Sequence, residues 1–65
     1  MKVIINGEPR EVSARTVFAL LEELGLPPGR IVVEQNAAIV RRDAYQDAPV
    51  REGDILELVR IVGGG

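Results

Sequence analysis

The sequence predicts an α+β roll, a mixed five-stranded sheet with one main helix packed on one face. Three observations lead there. Val and Ile gather into short strand-length runs, the residues that best fit a pleated surface. Asn6-Gly7 closes the first run with a strong hairpin signal. A single leucine stripe at helical spacing then separates this hairpin from the remaining runs. A hairpin, a helical crossover and further strands in that order make a one-helix roll.

Lys2 to Asn6 is the first strand, carried by Val3, Ile4 and Ile5. Arg10 to Val12 is read as its returning partner, with Glu8-Pro9 extending the loop; proline has no N–H to give to a ladder, which places Pro9 in the turn or on an edge. Thr16 offers a side-chain oxygen to cap a helix in which Val17, Leu20, Leu21 and Leu24 recur at i, i+3, i+4 and i+7. That spacing makes one apolar stripe, a core face, with Ala19, Glu22 and Glu23 turned towards water and Phe18 on the flank. Gly25 and Leu26 fit a left-handed C-terminal cap with its hydrophobic contact, and Pro27-Pro28 prevents continuation. Arg30 to Gln35 is the next strand, and Ile39-Val40 a short one after the Asn36-Ala37-Ala38 turn. Arg41 to Pro49 is polar and irregular, with Tyr45, the only tyrosine, expected over the edge of the core. Gly53-Asp54 turns into the last strand, Ile55 to Val62.

Composition narrows the chemistry. A chain of 65 residues is one domain near the lower limit for a self-supporting core, burying only about 60% of its unfolded surface. With no cysteine and no histidine, disulfides and the usual zinc sites cannot staple it, so aliphatic packing must. The same absences remove the commonest nucleophile and the commonest general base, and so small a body has little room for a catalytic pocket. The expectation is a chain that is not an enzyme by itself and binds no metal or cofactor. A net charge of −2 and the lack of a basic stripe argue against nucleic acid; Arg41-Arg42 reads as a solvated turn. No apolar run is long enough to span a membrane, and Met1-Lys2 leads into a strand rather than a signal peptide. A cytoplasmic protein, monomeric when free, is expected.

Alternation along the strands assigns the two sheet faces. Glu57 outward sends Leu56 and Leu58 to the core and places Ile55, Val59 and Ile61 on its own face. Lys2 outward puts Val3 and Ile5 inside and Ile4 outside; Glu34 outward puts Ile31 and Val33 inside and Val32 outside. Ile4, Val32, Val59 and Ile61 therefore form a candidate partner-binding patch on the uncovered face. A contiguous apolar patch on a small acidic domain marks an interaction surface.

The remaining feature is Gly63-Gly64-Gly65, directly after the last strand. Residues 1–62 are expected to be the folded domain and 63–65 a flexible tail. Glycine is narrow and costly to order inside a packed element. At a C-terminus such a run presents only its carboxylate, and suits insertion into a partner's narrow active site.

The ordered set of an Asn6-Gly7 hairpin, a leucine-rich helix from Thr16-Val17, Ile39-Val40 before an arginine-rich turn, and Gly53-Asp54 opening a strand that ends Val62-Gly63-Gly64-Gly65 resembles the ThiS family. That family comprises ubiquitin-like sulfur carriers of thiamine thiazole biosynthesis, and the resemblance covers essentially the whole chain. It implies a β-grasp fold with the last strand parallel to the first in mid-sheet. It also implies a role for Gly65: its carboxylate is adenylated with ATP by an E1-like adenylyltransferase of the ThiF type. Sulfur from a cysteine desulfurase persulfide then converts it to a thiocarboxylate, which donates sulfur to a thiazole synthase of the ThiG type. Gly63 and Gly64 would be the segment inserted into these partners. Ala37-Ala38, in a turn where the family tends to have glycine or polar residues, and Arg41, where proline is common, depart from the pattern. The alternatives are a carrier for another pathway (molybdopterin, tRNA thiolation or cysteine synthesis), a modifier forming isopeptide bonds through Gly65, or a plain interaction domain.

Overall fold

The Asn6-Gly7 hairpin forms and sets the frame for the sheet. In the computed structural model, which describes residues 1–62, β1 (Lys2–Ile5) pairs antiparallel with β2 (Glu8–Glu11). α1 (Val17–Glu23) follows, then β3 (Ile31–Gln35), β4 (Ala38–Val40) and β5 (Ile55–Arg60). The strand order is β2-β1-β5-β3-β4. β5 lies parallel to β1 and antiparallel to β3, so the first and last strands are neighbours inside the sheet. Gly63, Gly64 and Gly65, expected as the tail, lie outside the described residues.

The expected returning strand is corrected. It runs from Glu8 to Glu11 rather than from Arg10 to Val12, so Pro9 takes the edge placement of the two expected for it, opposite Ile4. β2 is an edge strand, and a proline there can turn its missing donor away from the partner. The turn is tight because Asn6 and Gly7 both take positive φ, 50° and 83°, the twist that a two-residue hairpin demands. Arg30 belongs to a 3₁₀ turn (Pro28–Arg30) ahead of β3, and the last ladder ends at Arg60 rather than Val62.

The β3–β4 hairpin uses the same geometry with poorer residues. Asn36 has φ 51° and Ala37 φ 71°. A left-handed alanine costs about 1–2 kcal/mol, part of which glycine would return as unfolded-state entropy. Ala37→Gly is therefore expected to stabilise the domain by about 0.5–1 kcal/mol, raising its melting temperature by roughly 2–8 °C. A denaturant titration checks this, and a lowered midpoint would show that the turn is not strained.

α1 is short, and its ends explain how it persists. The Val17 N–H donates to the Ala48 carbonyl and the Phe18 N–H to the Tyr45 carbonyl, each at 2.9 Å. The Ala19 N–H donates to Thr16 Oγ1 at 3.1 Å. Three of the four donors that a helix start leaves orphaned are thus met. At the other end Leu26 N–H reaches the Leu21 carbonyl at 2.8 Å and Gly25 N–H the Glu22 carbonyl at 3.0 Å, with Gly25 at φ 73°. That pair of bonds is a Schellman cap, with Leu26 folding back over the stripe.

The stripe does what its spacing predicts. Val17, Leu20 and Leu21 are fully buried against Val3, Ile31, Val33 and Leu56. Each such side chain contributes about 1.5–3 kcal/mol relative to exposure. Ala19, expected to face water, is half-buried against this core. Tyr45 is also corrected: it lies inside, 3% exposed, with its hydroxyl donating to the Ile31 carbonyl at 2.6 Å. A buried hydroxyl needs such a partner, and this one ties the irregular segment to β3.

Candidate functional site: an open sheet face and the root of the C-terminal segment

The helix covers one face of the sheet, and the other carries the residues assigned to it by alternation. Val3, Ile5, Ile31, Val33, Leu56 and Leu58 are buried, while Ile55, Val59 and Ile61 are 53%, 57% and 45% exposed. Val32 lies directly across from Val59, and Ile4 across from Ile55. The pairing thus sets Val32 beside Val59, with Ile61 following beyond the end of β5, and Ile4 beside Ile55, with Glu57 between the two groups along β5. Ile4 and Val32 are half-buried between their neighbours, so the protruding part of the patch is contributed by β5.

Two apolar members escaped the assigned patch. Ile55 was placed on this face but not counted in the patch. Ile39, 64% exposed, joins through its register opposite Glu34. Only the β3–β4 pairing reveals that; the run Ile39-Val40 is too short to fix its own facing. Pro9 sits beside Ile4 on the β2 edge.

β5 is held on both sides as far as Leu58, and on the β3 side as far as Ile61. On one side it pairs with β3 through Arg60 opposite Ile31, and the Ile61 N–H donates to the Arg30 carbonyl at 2.8 Å. On the other, the β1 ladder ends at Ile5 opposite Leu56, and a side chain continues it. Asn6 Oδ1 accepts from the Leu58 N–H at 2.8 Å, and Asn6 Nδ2 donates to the Leu58 carbonyl at 3.3 Å. One amide thereby substitutes for a peptide unit of the missing strand. The sequence signalled Asn6 only as a turn residue. The last described residue, Val62, lies two positions beyond the end of β5 and is 77% exposed.

The start of β5 is fixed by Asp54. Its carboxylate accepts from the Arg51 N–H at 2.8 Å, Gln35 Nε2 at 2.9 Å and Asn36 Nδ2 at 3.1 Å. Partial burial pushes this carboxyl up, but the Arg51 N–H, the Asn36 and Gln35 amides and the Arg51 charge outweigh it and hold it below its ordinary value. Asn36 Oδ1 in turn accepts from the Ile55 N–H at 3.0 Å. These bonds lock the β3–β4 turn to β5 and are structural. Among the described residues no group of three or more His, Cys, Asp or Glu is placed to hold a metal. No helix among them is long and apolar enough to cross a membrane.

Known proteins share this arrangement. The sequence model of the ThiS family matches residues 3–65. A protein named sulfur carrier protein ThiS from Thermus thermophilus is 35% identical over 97% of this chain and 98% of its own. A protein named thiazole synthase from Paramagnetospirillum magneticum is 48% identical over 100% of this chain, and another from Magnetococcus marinus is 41% identical. The chain spans only 20% of the length of each of these two relatives. The crystal structure of the thiamine biosynthesis protein ThiS from Geobacter metallireducens superposes with a TM-score of 0.86 at 30% identity, over 100% of both chains. The parallel β1–β5 pair in mid-sheet with one covering helix is the β-grasp fold expected from the resemblance. The chain belongs to the ThiS family.

Proposed function

We propose that this chain is a sulfur carrier of thiamine biosynthesis and that Gly65 holds the sulfur as a C-terminal thiocarboxylate. The observation that carries the reading is the rigid root of the C-terminal segment. β5 is clamped by Asn6 at Leu58 and along its β3 side up to Ile61, and the family match runs through the glycines to residue 65. A firmly held strand followed by three residues without side chains can deliver one carboxylate into a confined site.

The chemistry follows from the carboxylate being a poor electrophile. An E1-like adenylyltransferase takes ATP, the Gly65 carboxylate attacks its α-phosphorus, and pyrophosphate leaves. The acyl-adenylate then has AMP as a leaving group, and glycine leaves its carbonyl open to attack. Sulfur from a cysteine desulfurase persulfide displaces AMP, with a second thiol taking up the persulfide's oxidising equivalent as a disulfide. The product is a soft anionic nucleophile, donated to a thiazole synthase. Gly63 and Gly64 give the reach, and the patch of Ile4, Val32, Val59 and Ile61 docks the body on the partner. The chain supplies the reacting group and no catalytic residue.

Intact-mass spectrometry tests this after co-expression with the organism's own sulfur-transfer proteins. The expected product is the full chain with one oxygen exchanged for sulfur at Gly65. Conjugation to lysine would mean a modifier instead, and an unmodified chain would sink the carrier reading.

A further inference from the structure

Glu34 and Glu57 interrupt the apolar character of the open face. They are direct partners across the β3–β5 ladder, which puts their Cβ atoms about 4.5–5.5 Å apart. Like charges so placed oppose folding. Apolar residues surround the pair: Ile55 and Val59 on either side of Glu57 along β5, Val32 beside Glu34 along β3, and Ile39 across from Glu34 on β4. Neither carboxylate is answered from within. Among the described residues the ion pairs are the Met1 amino group with Glu11 and Arg41 with Asp43.

Resting on the docking role proposed above for this face, we infer that the adenylating partner covers Glu34 and Glu57 with a cationic side chain set in an apolar surface. Closing an apolar contact over two carboxylates removes their water, which strongly opposes binding for each charge left unpaired. The patch can dock only where the partner replaces that water with a cation. An arginine fits best, because its planar fork of donors can engage two neighbouring carboxylates at once. The acidic pair then rejects any partner whose surface is merely apolar.

The double variant Glu34→Gln/Glu57→Gln of the full chain separates the possibilities. It removes the repulsion, so its melting temperature should match or exceed that of the wild type. Titrated against the adenylyltransferase from the same organism, it should bind about 10- to 10²-fold more weakly. Its affinity should also fall less steeply with salt. Equal or tighter binding with unchanged salt dependence overturns the inference, because a purely apolar contact gains when buried charges are removed. Val59→Asn in the same titration keeps the two readings apart. If it weakens binding while the glutamine pair does not, the face docks but no cation meets it. If neither weakens binding, the docking role of the face fails, and the inference with it.

Discussion

Deleting Gly65 is expected to abolish adenylation while leaving the fold intact. The truncated chain still ends in a glycine carboxylate, Gly64, so its terminal group is chemically unchanged. What changes is reach: one residue withdraws the carboxylate by about 3.3–3.6 Å. Misplacing a reacting atom by only about 1 Å can cost roughly 10²-fold, so ATP–pyrophosphate exchange should fall by more than about 10²-fold. Stability should move by no more than about 0.5 kcal/mol, since Gly65 has no side chain to pack. Exchange at the wild-type rate would remove Gly65 from the chemistry.

Leu58 and Val59 are adjacent, and substitutions there should fail in opposite ways. Leu58 is 9% exposed and lies in the core cluster with Ile5, Ile31 and Val33. Leu58→Ala is expected to cost about 2–5 kcal/mol, against a total of only about 3–10 kcal/mol for a domain of this size. Its melt should shift by many degrees, with partial unfolding at ambient temperature. Val59 is 57% exposed, so Val59→Asn should cost about 1 kcal/mol or less. It should nevertheless weaken binding to the adenylyltransferase about tenfold or more, as expected at the centre of an apolar contact. Asparagine adds no charge, so the field of Glu34 and Glu57 is left as it was. Thermal melts paired with a binding titration read both outcomes. A stable Leu58→Ala protein beside an unfolded Val59→Asn protein would invert the facing of β5.

That facing was legible because each strand carries a charge next to its aliphatics. Lys2, Glu34 and Glu57 fix three parities, and the structure places the six alternating core residues accordingly. The helix was legible because Thr16, the leucine stripe, Gly25 and Pro27-Pro28 agree at every level. The start of β2 was not, because Pro9 fits a turn and an edge equally well, and the sequence does not reveal which of the two it takes. Nor was the burial of Tyr45, which depends on the Ile31 carbonyl being within reach of its hydroxyl. The site divides along the same line. Patch residues on β1, β3 and β5 follow from alternation, whereas the place of Ile39 and the Glu34–Glu57 juxtaposition exist only once β3 is paired with β4 and with β5. Asn6 as a clamp on Leu58 joins positions 52 residues apart, which no local pattern encodes.

The buried tyrosine also determines how the domain can be watched. With no tryptophan and a single tyrosine, ultraviolet emission excited through tyrosine comes from one ring. That ring is buried in the core cluster and its hydroxyl donates to the Ile31 carbonyl, so its signal carries no surface contribution to dilute it. Unfolding exposes the ring and breaks the bond together. Tyr45 is a built-in optical gauge of whether the domain ahead of the glycines is folded, readable without any label attached near the C-terminal segment.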